Sequence, residues 1–327
     1  MNRGAVLILT DTEDHTTDLI VHALQERDAH VVRLDPGAGP LNIDARLEEG
    51  RWVGEVGDQH RAARLTDVVS VLWRWPGTPS GHPAITSQAA RAWAAREDAL
   101  SILGVLRTLP VRWINHPARI SVANDKPDQL LTAQACGLAV PPTLITSSGV
   151  TAREWIRRRP AGARVRYKAQ HAQGADPDAM VTAGIAEAAS VPDLLAAASC
   201  FQEVIPGRSI RLTVVGPKMF AVEISGTDLL DWRPVQDRLT FTPVPIPARI
   251  AAAAAAYLHR YGLEYGAFDF IAGPDGWVFL ECNPSGMFGF VELQSGLQIT
   301  AAFADLLLTV GQRIADATRN HARPMKQ

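Results

Sequence analysis

The stretch "AFDFIAGPDGWVFLECNPSG", residues 267–286, holds two apolar runs around a Gly-Pro-Asp-Gly turn. That is the pattern of a β-hairpin. Three polar side chains interrupt it: Asp269, Glu281 and Asn283. Side chains alternate faces along a strand, so Glu281 and Asn283 share one face while Leu280 and Cys282 take the other. The surrounding Phe268, Phe270, Val278, Phe279 and Leu280 argue for burial on at least one side, against a merely solvated acidic face. Two neighbouring buried carboxylates with no cation repel, and their pKa values rise. A hard divalent cation such as Mg²⁺, which takes oxygen ligands, resolves the conflict with Asp269, Glu281 and Asn283 as its donors. Register sets a condition. If Gly273–Gly276 is a plain four-residue loop, Asp269 opposes Leu280; a bulge, or a loop of three or five residues, brings it against Glu281. An irregular turn is therefore expected.

The bulk properties narrow the classes. A chain of 327 residues has room for one large or two to three small domains, at roughly 100–200 residues each. A net charge of −2 gives no general electrostatic case for nucleic acid. No run is long and apolar enough to span a bilayer, and the opening "MNRGAVLILTDTED" turns acidic too soon for a signal peptide. Cys136, Cys200 and Cys282 form no Cys-x-x-Cys pair, which speaks against a disulfide framework and a zinc site. A reduced, cytoplasmic protein without membrane or nucleic-acid partners is expected.

Upstream, "AVLILT" (5–10), a helix over 16–27 and "HVVRL" (30–34) make a βαβ-like opening. Its first turn, "TDTEDHTTD", is acidic and lacks G-x-G-x-x-G, so a dinucleotide site is not expected there. A hairpin around Glu49-Gly50, a strand over 68–76, a helix over 86–107 and "VRWINHP" complete a first region, 1–117. The second, 118–206, reads as a small α+β lid. It has a strand at 142–147, a helix at 151–159 with Thr151 as N-cap, and a strand at 163–170. A loop at 171–179, a strand at 180–186, a helix at 191–199 and a strand at 200–207 follow. The third region, 207–327, has two strands turning at Gly216-Pro217, then "DLLDWRP" (228–234). An alanine-rich helix over 247–261 stopped by Gly262, the opening hairpin and a last helix over 297–317 close the chain.

Apolar-Asp-apolar followed by apolar-Glu-x-Asn-Pro resembles the metal-binding end of the ATP-grasp fold of carboxylate–amine ligases such as glutathione synthetase. Other motifs follow in the matching order. "NDKPDQL" (124–130) puts Lys126 in the place of the first phosphate-binding lysine, and "VRYKAQ" puts Lys168 in that of the second. "FQEVIPG" (201–207) resembles the hinge strand, implying nucleotide contacts from Gln202, Glu203, Val204 and Ile205, with the backbone of Glu203 to Ile205 on the adenine edge. "SIRLTVVG" resembles the next strand, with Arg211 facing the phosphates. The fold implied is an α/β ATP-grasp fold: an N-terminal α/β domain, a central α+β lid and a C-terminal α+β domain. Its cofactors are ATP and Mg²⁺, two ions. Two lysines gripping a triphosphate as point charges, carboxylates holding Mg²⁺ and a lid excluding water form a coherent set. Singly, each lysine also fits a surface role.

"VLWRWPGTPS", "INHP", "FAVEISGTDLLDWRP" and "FLECNPSGMFGFVE" resemble the microviridin-type peptide maturases, or graspetide synthetases. The resemblance implies a peptide macrocyclase that joins Asp or Glu side chains of a ribosomal precursor peptide, leader plus core, to Ser/Thr hydroxyls or Lys amines. A peptide carboxylate attacks the γ-phosphate, and the hydroxyl or amine captures the resulting acyl phosphate. A homodimer is implied too. Arg211, Arg233, Glu223 and Asp231 are the expected catalytic contacts, Arg233 as a planar fork for a carboxylate or an acyl-phosphate oxygen. For Arg233 a salt bridge with Asp231 or Asp228 is the competing reading; for Trp73 and Arg74 it is a strand end leaving a sheet. His171 either approaches phosphate or sits exposed on its loop. Ser209 stands at a nucleotide-side position where the relatives usually carry an acid. Met287-Phe288 replaces Gln-Trp, and Ser285 an Asn, giving a more apolar wall. The alternatives are an ATP-grasp ligase acting on a free amino acid or small metabolite, and a nucleotide-binding regulatory protein with a decayed site.

Overall fold

The computed structural model describes residues 4–168, 183–227 and 238–309. Its first part runs β1 (Ala5–Leu9), α1 (His15–Gln25), β2 (His30–Leu34), β3 (Asn42–Glu48), β4 (Arg51–Gly57), β5 (Ala62–Arg64), β6 (Val68–Trp73), α2 (Gln88–Arg107) and β7 (Arg112–Ile114). Next come α3 (Pro117–Ala123), α4 (Lys126–Ala135), β8 (Thr143–Ser148), α5 (Gly149–Arg157), β9 (Val165–Lys168), β10 (Ala183–Ile185) and β11 (Leu194–Glu203). The last part holds β12 (Arg208–Val215), β13 (Lys218–Ser225), β14 (Thr240–Pro243), α6 (Ala248–Tyr261), β15 (Tyr265–Gly273), β16 (Gly276–Asn283), α7 (Gly289–Ser295) and α8 (Ile299–Leu308).

Four sheets carry the architecture. β2-β1-β6-β7 is parallel, and every side chain of β1 is buried, as expected for a central parallel strand covered on both faces. β3-β4-β5 is an antiparallel ribbon on the same part of the chain. The order β10-β9-β11-β8 makes a small sheet, and β14-β13-β12-β15-β16 the large antiparallel one. One face of the large sheet, through Ile210, Leu212, Phe268, Phe270 and Phe279, packs on α6 through Tyr257 and Leu258. One end of the other face joins α1, α7 and α8 in a core built on Tyr265, Phe288 and Phe303. Among the described residues no helix is long and apolar enough to cross a membrane.

The decisive hairpin forms, with its irregularity in the strand rather than the turn. Gly273 pairs with Gly276 around Pro274-Asp275, and Phe270 pairs with Phe279 in the plain phase. Asp269 nevertheless pairs with Glu281, and Leu280 is left as an extra, bulged residue in β16. Gly276, with φ of 117°, lets the turn close in a backbone region that other residues avoid.

Three elements differ from the expectations. The helix expected over 191–199 is the first half of β11, which lies between β8 and β9; pairing at Leu194 and from Ser199 onward, on both sides of the alanine run, outweighs its helix preference. α5 starts one turn early: the Ser148 hydroxyl caps it by accepting from the Thr151 N–H, which makes Thr151 an interior residue of the first turn. A short helix that was not expected, α7, ends at Gly296 with φ of 73° and precedes the last helix, of which α8 is the described part. Its expected continuation from 310 to 317 lies outside the described residues, as do the loop 171–179 with His171, the segment 228–234 with Asp231, Trp232 and Arg233, and the side chain of Lys168.

Candidate active site

Three antiparallel strands of the large sheet bring the chemistry together. Arg211 on β12 pairs across with Asp269 on β15, and Asp269 pairs across with Glu281 on β16. Directly opposed residues point to the same side of a sheet, so all three share the face away from α6. Asn283, two residues beyond Glu281, joins them. Its Nδ2 lies 3.4 Å from Asp269 Oδ2 and 3.4 Å from Glu281 Oε1.

Both acids are answered by cations of the chain itself. Arg211 Nη1 donates to Asp269 Oδ1 at 2.8 Å and to Oδ2 at 3.0 Å. Lys126 Nζ lies 3.3 Å from Glu281 Oε2. Lys126 is the first residue of α4, whose N-cap Asp125 accepts from the Asp128 N–H, so the helix start fixes where the ammonium emerges. Positive charge from the chain itself, on Arg211 and Lys126, thus stands beside the two carboxylates for which the sequence called for an external cation. Burial works against the Arg211 charge, but the Asp269 carboxylate, joined by Tyr265 and Glu281, outweighs it and holds the guanidinium pKa above its ordinary value.

The loop after Asn283 closes over this face. Arg211 Nη2 donates to the Met287 carbonyl at 3.2 Å. Gly286 lies so near that a Cβ there would sit 2.8 Å from Ala267 Cβ and 3.0 Å from Arg211 Nη2. Phe288 is fully buried and stacks on Phe303 at 4.8 Å between centroids, so it is core; of the Met287-Phe288 pair, Met287 alone is exposed. On the N-terminal side of the loop, Arg74 is 3% exposed. Its Nε donates to Asp14 Oδ2 at 2.7 Å and its Nη1 lies 3.5 Å from the Gly286 carbonyl. Arg74 thus braces the loop from within. Trp73 is half-buried beside Trp113 and Arg107.

The other expected positions are distributed as follows. Glu223 pairs across with Ile210, which places it on the α6 face of the sheet, ion-paired with Arg208. It does not join Arg211 and the two acids, because it sits an odd step out of phase with them. Ser209 shares the Arg211 face and is half-buried. At the hinge, the Glu203 N–H donates to the Pro142 carbonyl and the Val204 N–H to the Arg164 carbonyl. Those two amides are committed to the backbone, which leaves the Ile205 N–H as the donor of this segment that a purine edge can use. The Gln202 side chain is committed as well: its Oε1 accepts from Arg166 at 2.5 Å and its Nε2 donates to Thr143 Oγ1 at 3.1 Å. Lys168 pairs with Cys200 and Ala183 through its backbone.

No group of three or more His, Cys, Asp or Glu capable of holding a metal occurs among the described residues. Two carboxylates and one carboxamide on one face still match the modest protein share of a Mg²⁺ shell completed by phosphate oxygens and water. The site's shape owes much to residues that the motifs did not single out. Gly286 carries no sequence signal beyond its place in the Asn283-Pro284-Ser285-Gly286 motif. Gln129 lies three positions after Lys126 on the same helix face, and that spacing is the signal that could have found it.

No family model matches the chain, and no curated protein matches it. Solved structures do. The Chryseobacterium gregarium RiPP-associated ATP-grasp ligase, in complex with ADP and a leader and core peptide, superposes with a TM-score of 0.82 at 24% identity, over 93% of this chain and 96% of that one. The macrocyclase MdnB from Microcystis aeruginosa MRC gives 0.75 at 26% identity, over 94% and 99%. The ATP-grasp ligase PsnB, complexed with a minimal precursor, Mg and ADP, gives 0.71 at 23% identity, over 93% and 96%. The chain has the ATP-grasp fold.

Proposed function

We propose that the chain is an ADP-forming ATP-grasp ligase that closes macrocycles in a ribosomal precursor peptide, joining Asp or Glu side chains to Ser/Thr hydroxyls or Lys amines. The observation that carries this reading is the convergence of Arg211, Asp269, Glu281 and Asn283 on one sheet face with Lys126 above it, in a fold shared along nearly its whole length with peptide-modifying ligases. Bound MgATP supplies the phosphoryl group that makes the peptide carboxylate electrophilic. In this reading Glu281, Asn283 and Asp269 hold the metal, and Lys126 with Lys168 holds the phosphates. Gln202 through Ile205 and Ser209 wall the nucleoside, the Ile205 amide on the base edge. Asp231 and Arg233 belong to the substrate side.

The chain's own chemistry is electrostatic. Arg211, held rigid by Asp269 and the Met287 carbonyl, presents a fixed positive charge toward oxygens that become more negative as the acyl phosphate forms and collapses. Once the hydroxyl or amine has attacked, phosphate leaves and a proton is released; no protein nucleophile takes part. The three-unit division at 1–117, 118–206 and 207–327, a homodimeric state and a cytoplasmic setting belong to the same reading. Each of the three main sheets lies within one unit, in support of the division.

The test is mass spectrometry of a precursor peptide rich in Thr/Ser and Glu/Asp, sought in the neighbouring genes, after incubation with enzyme, ATP and Mg²⁺. The expected product has lost one water per cross-link. A peptide of unchanged mass, with ATP turned over on free amino acids instead, overturns the macrocyclase reading in favour of a small-molecule ligase.

A further inference from the structure

β16 is the edge strand of the large sheet, yet it carries Glu281 and Asn283. An edge strand has no ladder on its outer side, so its outward N–H and C=O groups need other partners and its position is otherwise poorly fixed. Near the turn, backbone supplies one: the Phe279 N–H donates to the Ala139 carbonyl at 2.8 Å. At the functional end a side chain takes over. Gln129, on α4 and 1% exposed, accepts from the Cys282 N–H through Oε1 at 3.0 Å and donates to the Cys282 carbonyl through Nε2 at 2.9 Å. Its Nε2 also donates to the Ala123 carbonyl at 2.6 Å, which ties the end of α3 to the same point. One carboxamide thereby reproduces the donor–acceptor pair that a neighbouring strand would present.

Cys282 is the residue between Glu281 and Asn283, so the clamp grips the backbone midway between the two. Gln129 stands three residues after Lys126, on the same side of α4. The side chain that pins the strand therefore also pins the helix whose first residue reaches Glu281 at 3.3 Å. We infer that Gln129 is a positioning residue that sets the separation between Lys126 and the Glu281–Asn283 pair, so that phosphate and metal are held by parts of one rigid frame. It acts through Lys126, Glu281 and Asn283 and touches no reacting atom. This inference rests on the proposed reading of the site as one for Mg·nucleotide.

A role confined to stability would be shared by other anchors of α4. One exists between α4 and α6: Tyr261 on α6 donates to Asp128 Oδ2 at 2.6 Å and lies 3.1 Å from Thr132 Oγ1. The experiment compares Gln129→Met, which keeps the length and loses every hydrogen bond, with Tyr261→Phe. Thermal melting and calorimetric titration with Mg·ADP are measured for both, with Mg²⁺ titrated at fixed ADP in parallel. Gln129→Met is expected to weaken Mg·ADP binding about tenfold or more and to raise the Mg²⁺ requirement, as loss of an outer-shell support does. Tyr261→Phe is expected to lower the melting temperature with no change in either quantity. Gln129→Glu, which keeps an acceptor for the Cys282 N–H and loses the donor, falls between the two; it replaces Gln129→Met in the comparison if that variant does not fold. A folded Gln129→Met or Gln129→Glu that binds Mg·ADP as tightly as the unaltered chain overturns the inference, whatever its melting temperature. Failure of the unaltered chain to bind Mg·ADP is a separate result and overturns the reading of the site on which the inference rests.

Discussion

Arg211 and Asp269 face each other across β12 and β15, with a single guanidinium nitrogen donating to both carboxylate oxygens at 2.8 and 3.0 Å. The arginine is 5% exposed, and its other terminal nitrogen is committed to the Met287 carbonyl. The pair thus joins the Asp269 carboxylate to the loop that covers it. Charge and position cannot be separated here, which shapes the first expectation.

Replacing Arg211 by Met removes the counter-charge of a buried acid and frees the 284–288 loop. Breaking a buried pair from one side costs about 3–5 kcal/mol, so a clear drop in melting temperature is expected along with loss of peptide cyclisation. Arg211→Lys restores charge without the second donor to Met287. It should recover most of the stability and far less of the activity, by roughly a hundredfold in kcat. Equal recovery of both would show that Arg211 serves the fold alone.

Glu281→Gln keeps shape and hydrogen-bonding capacity while deleting one carboxylate. Peptide-dependent ADP release is expected to fall by at least about a hundredfold, since a metal-held phosphoryl group depends on that charge, with near-unchanged circular dichroism. ADP release within twofold of the unaltered chain would speak for a decayed, regulatory site.

At Gly286 a single methyl group decides. The space that it needs is occupied by Ala267 Cβ at 2.8 Å and Arg211 Nη2 at 3.0 Å, and the sheet side cannot yield. Gly286→Ala should displace Arg211 and lower kcat/KM about tenfold or more, a loss visible in steady-state cyclisation assays at unchanged expression and solubility.

The Asp14–Arg74 pair makes a prediction in pH. Burial pushes the Asp14 carboxyl up, but the Arg74 charge and hydrogen bonds from Thr17, Arg74 and Thr10 outweigh it and hold the pKa below the usual aspartate range. Asp14 therefore ionises more readily folded than unfolded. Its contribution is complete above the ordinary aspartate pKa and fades as pH falls through the lowered folded value. Denaturation of Asp14→Asn against the unaltered chain should show the full deficit at neutral pH and a shrinking one below about pH 4. A constant deficit down to acid unfolding would contradict this origin.

Asp269, Glu281 and Asn283 are legible in sequence because polar residues break an otherwise apolar period-two pattern, and period two fixes which of them share a face. Gly262 is legible for an equally local reason, the left-handed residue that ends α6. Illegible features depend on partners far along the chain. The alanines at 196–198 favour a helix in isolation, and they become strand between a β8 pairing at Leu194 and the β8 and β9 ladders that begin at Ser199 and Cys200. Glu223 looks like a site residue next to a catalytic motif, yet its face is decided by the β12 register. The bonds from Gln129 to Cys282 span 153 positions, beyond any local pattern. The chain's own cations beside the acids, Arg211 and Lys126, likewise come from other strands and helices.

The extra residue at Leu280 has a consequence for what selection can act on. Removing it leaves Phe279 followed directly by Glu281, and a ladder in the plain phase of the turn then still sets acid against acid. The insertion is therefore not what makes the carboxylates meet. A bulge bends its strand and steepens the local twist, so what the surplus residue governs is the angle at which Glu281 and Asn283 leave the sheet. A shortened hairpin without Leu280 keeps both carboxylates as neighbours while aiming them elsewhere, which turns one position into a dial for direction that leaves composition alone.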